Sequence, residues 1–264
     1  RDVTTSYAVL AIAGPNSPRL LGAVTDADLS DDAFPPYRMR HTHIGHAPVF
    51  AQRLSFTGET GWEIFITPDF AEHVLEIILE AGQPLGLRLA GGEALNALRI
   101  EKGFLHWGAD MAYTEAPYQL GLDFICKPGK KLPFIGRDAC MARKADPKGP
   151  CLRSVRLADP DAILHHNEPV LRDGRIIGFV TSGAFCAMQK AAVGLCLVSP
   201  PNGAGGFEAV EDGPCSVMIE GREVPAELRR YQSKHHGSHL TGYRQSSRAR
   251  YWRGGAPCAG VGRV

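Results

Sequence analysis

The chain predicts an α+β fold: a central α/β body with an antiparallel sheet, followed by a small C-terminal β-barrel. Three observations carry this. Two strand-like runs flank the short loop Thr57–Gly61, whose glycines suit a hairpin. A helix-period stretch follows at once, and a helix after a hairpin packs on a sheet. Beyond Asp146-Pro-Lys-Gly-Pro150, five or six short strands alternate with turns and no helix intervenes. That is how a small barrel or Greek-key sheet reads.

A length of 264 residues at 44% hydrophobic composition leaves ample core for one large domain or two small ones. The expected organisation is a body over residues 1–146, a barrel over 151–228 and a tail over 229–264. A formal net charge of +1 argues against a nucleic-acid binder. Charge is unevenly placed, however. No Asp or Glu follows Glu227, whereas Arg229 to Val264 carries eight Lys or Arg. This basic tail has almost no apolar period and is expected to be disordered, so nothing is built on His235, His236 or His239.

Cysteine number and spacing are also informative. The chain has seven cysteines, an odd number, and none is spaced as CxxC. Cys126, Cys140, Cys151, Cys186, Cys196 and Cys215 mostly sit in apolar runs, which predicts buried free thiols in a reducing compartment. No apolar stretch reaches the length of a membrane span, so no membrane partner is expected. The opening Arg-Asp-Val-Thr-Thr-Ser shows neither an initiator Met nor a signal-like apolar region, and reads like a fragment.

Taken in order, Tyr7–Ala13 is a short apolar strand ended by Gly14-Pro15. Asn16 or Ser17 can cap a short helix through Leu20, Leu21 and Val24. Ser30–Pro36 is acidic and proline-rich, hence a loop. His41-Thr-His-Ile-Gly-His46 places three imidazoles within six residues. His41 and His43 face one way on a strand and His46 the other, with no Cys or carboxylate nearby to complete a shell. They read as strand-surface histidines, and no metal site is assigned.

Thr67-Pro68 starts a helix with Val74, Leu75, Ile78 and Leu79 at helical period and Gly82 at its end. A second helix spans Gly92 to Lys102, with Leu95 and Leu98 on one face and Arg99 beside them. Arg99 can meet a ligand carboxylate or pair with Glu93 or a neighbour of Glu101. Trp107-Gly-Ala-Asp110 and Tyr113 form a loop in which Asp110 is either an acid–base group or a turn former. Pro117–Lys127 reads as loop plus strand, and Ile135–Ala145 as a third helix.

In the C-terminal part the strands are Leu152–Leu157, Pro169–Leu171, Arg175–Ser182, Ala191–Val198, Val217–Glu220 and Glu223–Ala226. Asp173-Gly174 and Glu220-Gly221 are hairpin turn signals. Thr181-Ser-Gly183 could pass for a phosphate nest or a nucleophile, but without a GxSxG elbow it reads as a strand-ending turn.

The hairpin around Thr57–Gly61 is the centre of the functional reading. On its return strand Trp62, Ile64 and Ile66 share one face, while Glu63 and Phe65 share the other. Glu63 is thus a carboxylate among apolar neighbours, costly when ionised unless hydrogen bonds reach it. A ligand with two parallel N–H donors, such as an aminopyrimidinone ring, would fit it bidentately. Alternatively Glu63 is a solvated strand residue or pairs with Arg53 across the hairpin.

Ser55-Phe-Thr-Gly-Glu-Thr-Gly-Trp-Glu63 resembles the signature of the aminomethyltransferase (glycine-cleavage T-protein) family. It is most similar to the branch fused to flavin enzymes that demethylate dimethylglycine and sarcosine. Other stretches match in the family's order: Leu10–Pro15, Ala97–Gly103 with Trp107–Asp110, Gly121–Phe124, Phe134–Arg137, and Glu168–Gly174 with Gly178–Gly183.

The resemblance implies a central folate-binding body and a tetrahydrofolate ligand. Glu63 would accept the pterin N–H groups, and Phe56 would stack on the ring where many relatives carry Tyr. Gly61 would allow close backbone approach, and Trp62 would support the turn from below. The segment with Asp110 and Tyr113 would line the central cleft. The one-carbon unit would come from an amine or iminium donor.

The resemblance also places a carboxylate near the folate amines upstream of Arg1, so no catalytic residue is assigned. FAD is implied only with an upstream domain, as a fused or associated flavin dehydrogenase. The glycine-cleavage branch carries an additional Arg at the place of Leu95, which bears on how a folate glutamate tail is held. The iron–sulfur-assembly branch has a Lys-Gly-Cys motif, whereas Lys102-Gly103 is followed by Phe104. A non-catalytic interaction domain on the same fold is the alternative reading. Bacterial cytoplasm and mitochondrial matrix both suit free thiols.

Overall fold

The computed structural model describes residues 1–231 except Pro128, Pro147, Met188, residues 201–209 and Glu211. The expected disordered stretch beyond Tyr231 lies outside the described residues. Strands β1 (Ala8–Ala13), β2 (Met39–Ile44), β3 (Ala47–Gln52) and β4 (Gly61–Ile66) form an antiparallel sheet in the order β1-β4-β3-β2. Period-2 alternation gives it two unlike faces. Ile12, Val49, Ala51, Trp62, Ile64 and Ile66 pack beneath it with helices α1 (Ser17–Gly22) and α2 (Ala71–Gly82). On the other face Glu63 sits between Ala11 and Gln52, and Phe65 between Val9 and Phe50. That face is open: Val9 is 50% and Phe50 38% exposed.

Neither helix begins as its sequence suggests. Asn16 makes no side-chain cap to α1. Ser17 Oγ instead donates to the carbonyls of Gly14 and Thr60, fastening the helix start to the loop before β4. Thr67-Pro68 opens a 3-10 turn over Pro68–Phe70, and α2 starts after it. Val74, Ile78 and Gly82 form its buried stripe, while Leu79 is exposed.

Helix α3 (Gly92–Lys102) has the expected bounds. Leu95 and Leu98 are exposed, while Arg99, Ile100 and Lys102 are buried, because a polar network draws that side of the helix onto the barrel. The strand expected within Pro117–Lys127 is instead a 3-10 turn at Pro117–Leu120 and a single helical turn, α4 (Asp123–Cys126). Helix α5 (Arg137–Ala145) leads to the second unit.

Strands β5 (Cys151–Leu157), β6 (Pro169–Arg172), β7 (Arg175–Cys186), β8 (Ala191–Val198), β9 (Gly213–Ile219) and β10 (Arg222–Arg230) close a barrel in the order β10-β5-β8-β7-β6-β9. Its interior is filled by Val155, Leu157, Val170, Val180, Cys196, Val217 and Leu228, among others. The hairpin signals are hairpins: Asp173-Gly174 and Glu220-Gly221 take φ of 52° and 70°, and 49° and 77°. Strand β10 runs to Arg230, so the first residues expected in the tail are strand. Tyr231 is buried, and its hydroxyl donates to the Gly103 carbonyl, tying the barrel to the end of α3.

The six described cysteines are free; Cys151, Cys186 and Cys196 are buried, but Cys126, Cys140 and Cys215 are half-buried. Burial pushes the Cys215 thiol up from 9.0 to about 11, opposed by the nearby Arg172 charge. Cys151 and Cys196 are raised as well, chiefly by burial. In the unfolded chain Cys215 ionises first, so its contribution to stability is intact below pH 9 and declines from there to pH 11. The urea midpoint is expected to drop across that window, and Cys215→Ala should flatten the drop. A midpoint independent of pH there would contradict the assignment.

Candidate functional site

The loop between β3 and β4 is longer than a tight hairpin, since pairing ends at Gln52 and resumes at Glu63. Arg53 therefore does not face Glu63. Its guanidinium donates to the Phe34 carbonyl and to Asp31, and lies over the Trp62 ring at 5.4 Å. Within the loop, Ser55 and Thr57 share a hydroxyl contact of 2.8 Å, and the Thr57 and Glu59 amides donate to those hydroxyls. Glu59 pairs with Lys102 of α3 at 3.3 Å. Gly58 has φ of +71°, and the Lys102 stem fills the space a Cβ would need.

These ties present Phe56. Its ring lies nearly parallel to Phe104, centroids 6.2 Å apart, and edge-on to His106.

Gly61 meets its own chain. A Cβ there would lie 2.6 Å from the Ile12 carbonyl oxygen, so the close approach it permits is that of β1 rather than of a ligand. Gly61→Ala is expected to cost about 1–3 kcal/mol by separating β1 from β4. Thermal denaturation checks this, and an unchanged midpoint would contradict it. Trp62 is 1% exposed and packs edge-on to Phe34 beneath the sheet, supporting the strand that holds Glu63.

Arg99 and Asp110 meet each other. Arg99 is 2% exposed, and all five of its N–H groups are engaged. Nε and one terminal nitrogen donate to Asn96 Oδ1, and that nitrogen also donates to Ser182 Oγ. The other terminal nitrogen donates to the Phe104 carbonyl and to Asp110. Asp110, fully buried, accepts from Arg99 and the His106 amide on Oδ2 and from Thr181 and Ser182 on Oδ1. Arg99 lies in the wall of the adjoining cavity, but its donors are taken up within the chain and it does not pair with Glu93. Asp110 closes the turn from His106, and each of its oxygens accepts from two donors.

The Thr181-Ser182 pair lies inside β7, not in a strand-ending turn. The pairing of β7 with β8 shifts register between Val180 and Ser182. This bulge lets two successive hydroxyls reach the same carboxylate, which regular alternation forbids. Asn96 Nδ2 adds a bond to the Gly183 carbonyl. Sequence reasoning missed Asn96, Phe104, His106, Thr181 and Ser182 as a cluster, since they come together from three separate segments. The one available signal was the hydroxyl pair beside a glycine.

Next to this network opens a cavity of about 1530 Å³. Phe56, Asn96 and His106 line the body side; His165, His166 and Arg175 line the barrel side. Glu63 is not among the lining residues. It lies half-buried on the open sheet face, and its carboxylate has no hydrogen-bond or ion-pair partner among the described residues. Tyr113, expected in the cleft, is 89% exposed and outside the cavity wall. His41 and His43 pack edge to face on the open face, whereas His46 lies against His73 at 4.0 Å. Among the described residues no three His, Cys, Asp or Glu side chains are grouped to hold a metal ion, and no helix is long and apolar enough to cross a membrane.

Comparison with known proteins agrees with this architecture. The GCVT N-terminal domain family matches residues 1–130, and the glycine cleavage T-protein C-terminal barrel domain family matches residues 151–231. The chain is 37% identical over 231 residues to 4-methylaminobutanoate oxidase (formaldehyde-forming) of Paenarthrobacter nicotinovorans, covering 87% of this chain and 27% of that protein. It is 38% identical over 192 residues to mitochondrial dimethylglycine dehydrogenase of Rattus norvegicus, covering 72% and 22%. With the aminomethyltransferase of Streptomyces avermitilis it shares 31% over 230 residues, or 86% and 60%. The chain thus spans about a quarter of the length of the oxidase and dehydrogenase it resembles. The glycine cleavage system aminomethyltransferase T of Bartonella henselae has the same fold, with a TM-score of 0.71 at 20% identity, covering 86% of this chain and 60% of that one. On the matches of both its body and its barrel, the chain belongs to the aminomethyltransferase (glycine-cleavage T-protein) family.

Proposed function

We propose that the chain is a tetrahydrofolate-dependent one-carbon transfer module, moving an aminomethyl or methylene unit as part of a flavin-linked enzyme that demethylates dimethylglycine or sarcosine. One observation carries the reading: Glu63, on the open sheet face at the end of the loop that presents Phe56, holds a carboxylate with no partner among the described residues. An ionised carboxylate so placed is satisfied by a ligand offering two parallel N–H donors. The aminopyrimidinone edge of a pterin has that pattern, and Phe56 supplies a ring face for stacking.

The cavity beside Phe56 has room for an extended ligand, larger than the usual pocket of roughly 300–1,000 Å³. With Leu95 in place of an arginine and Arg99 fully engaged, the tail carboxylates of the folate would turn toward Arg175, His165 and His166 on the barrel wall. When bound, tetrahydrofolate would take up the carbon of an aminomethyl or iminium donor. The part of the chain would be to bind and orient both reactants and to keep water from them. FAD would belong to a fused or associated dehydrogenase domain, and the compartment would be bacterial cytoplasm or mitochondrial matrix.

Titration of the folded chain with tetrahydrofolate by calorimetry tests the proposal. A Kd in the micromolar range is expected. A folded chain that releases no heat and shows no binding by equilibrium dialysis would overturn it in favour of a non-catalytic interaction domain.

A further inference from the structure

Away from the cleft, two cysteines that are distant in sequence meet. Cys126 ends α4 and Cys140 lies in α5, and their Sγ atoms are 3.8 Å apart. Both are half-buried, so a small reagent can reach them. Of the other described thiols Cys215 is also half-buried, while three differ. Cys151 and Cys196 are fully buried and hydrogen-bonded to the Val198 and Arg153 carbonyls, and Cys186 is 1% exposed.

We infer that Cys126 and Cys140 are a dithiol that closes to an intrachain disulfide when it meets a small-molecule disulfide such as oxidised glutathione.

The sulfurs are in van der Waals contact and must approach to about 2.05 Å. The surroundings allow that shift. Helix α4 is a single turn with no buried residue, Lys127 leaves it with φ of +33°, and α5 also buries none of its residues. The end of α5 is tied down: Lys144 pairs with Asp123 at the start of α4 at 3.5 Å, and Arg143 donates to the Thr114 carbonyl in the preceding loop. Burial and the adjacent thiol hold Cys126 above its ordinary value, with Lys130 opposing, so the exchange speeds up as pH rises and thiolate forms.

The step balances. One cysteine, as thiolate, attacks a sulfur of oxidised glutathione and expels one glutathione thiolate, leaving a mixed disulfide. The second cysteine attacks the protein sulfur of that mixed disulfide and expels the second glutathione. Both protein thiol hydrogens end on the two glutathiones, and the two electrons lost by the dithiol reduce the glutathione disulfide. The product is a covalent ring around the lysine-rich segment that includes Lys127, Lys130 and Lys131.

The test uses the full chain incubated with excess oxidised glutathione, quenched in acid, alkylated and digested with trypsin for mass spectrometry. A linked pair of peptides carrying Cys126 and Cys140 is expected, lost on treatment with dithiothreitol. It should form at least tenfold faster in the folded chain than in urea. Cys140→Ser should leave Cys126 with a trapped glutathione. Separate glutathione adducts on both cysteines, two unreacted thiols, or linkage no faster than in urea would each overturn the inference.

Discussion

Glu63→Gln is expected to weaken tetrahydrofolate binding by tenfold or more. The amide keeps the shape of the side chain but turns one acceptor into a donor and removes the charge that strengthens the pair of hydrogen bonds. A tenfold loss corresponds to about 1.4 kcal/mol, just under the roughly 1.5–3 kcal/mol assigned to a hydrogen bond to a charged group, so a loss of tenfold or more is the expected size. Glu63 is half-buried and has no partner among the described residues, so the fold itself should change by no more than about 0.5 kcal/mol. Calorimetry gives the affinity, and urea denaturation of the same variant shows that the fold is intact. Unchanged affinity in a stable variant would remove Glu63 from the site. Phe56→Ala tests the other half of the contact and should weaken binding without touching Glu63.

Asp110→Ala is the substitution expected to reduce stability most, by about 3–5 kcal/mol. It would leave the Arg99 guanidinium, 2% exposed, without its counter-charge. It would also strip the His106 amide and the Thr181 and Ser182 hydroxyls of their acceptor. Ser182→Ala removes one donor and one acceptor from the same network and should cost about 1–3 kcal/mol. Replacing the ion pair by apolar residues, Arg99→Met with Asp110→Leu, should recover much of the loss, because neither charge is then stranded. Urea denaturation at fixed pH measures all three. A loss below about 1 kcal/mol for Asp110→Ala would show that the buried pair is not what joins body to barrel.

What could be read in the sequence was local. The hairpin turns at Asp173-Gly174 and Glu220-Gly221 lie where residues tolerant of positive φ stand between alternating runs. Strand β8 has the bounds its apolar run gives, and α3 those set by its flanking glycines. Trp62 and Glu63 fell on opposite faces because a strand has a period of two, and that holds whatever packs on it.

Other features depended on partners distant in the chain. The apolar spacing of α3 put Leu95 and Leu98 on one face with Arg99 beside them but did not say which side is buried, and the helix turns Arg99 to the barrel. The reason is that Asp110, Thr181 and Ser182 together satisfy a buried guanidinium better than solvent contact with the leucines penalises the helix. Gly61 likewise reads as a ligand's approach until β1 is seen to occupy its missing side chain. Cys126 and Cys140 carry no spacing signal at all, and only the packing of α4 on α5 brings their sulfurs together.

The sequence by itself determined the α+β class, the barrel, the family and the two faces of β4, because these follow from backbone periods, turn chemistry and contiguous motifs. Only the tertiary structure decided which charges are buried and satisfied, that the Glu63 carboxylate has no partner among the described residues, and which thiols meet. Burial and pairing are set jointly by segments far apart in the chain, and no local pattern encodes them.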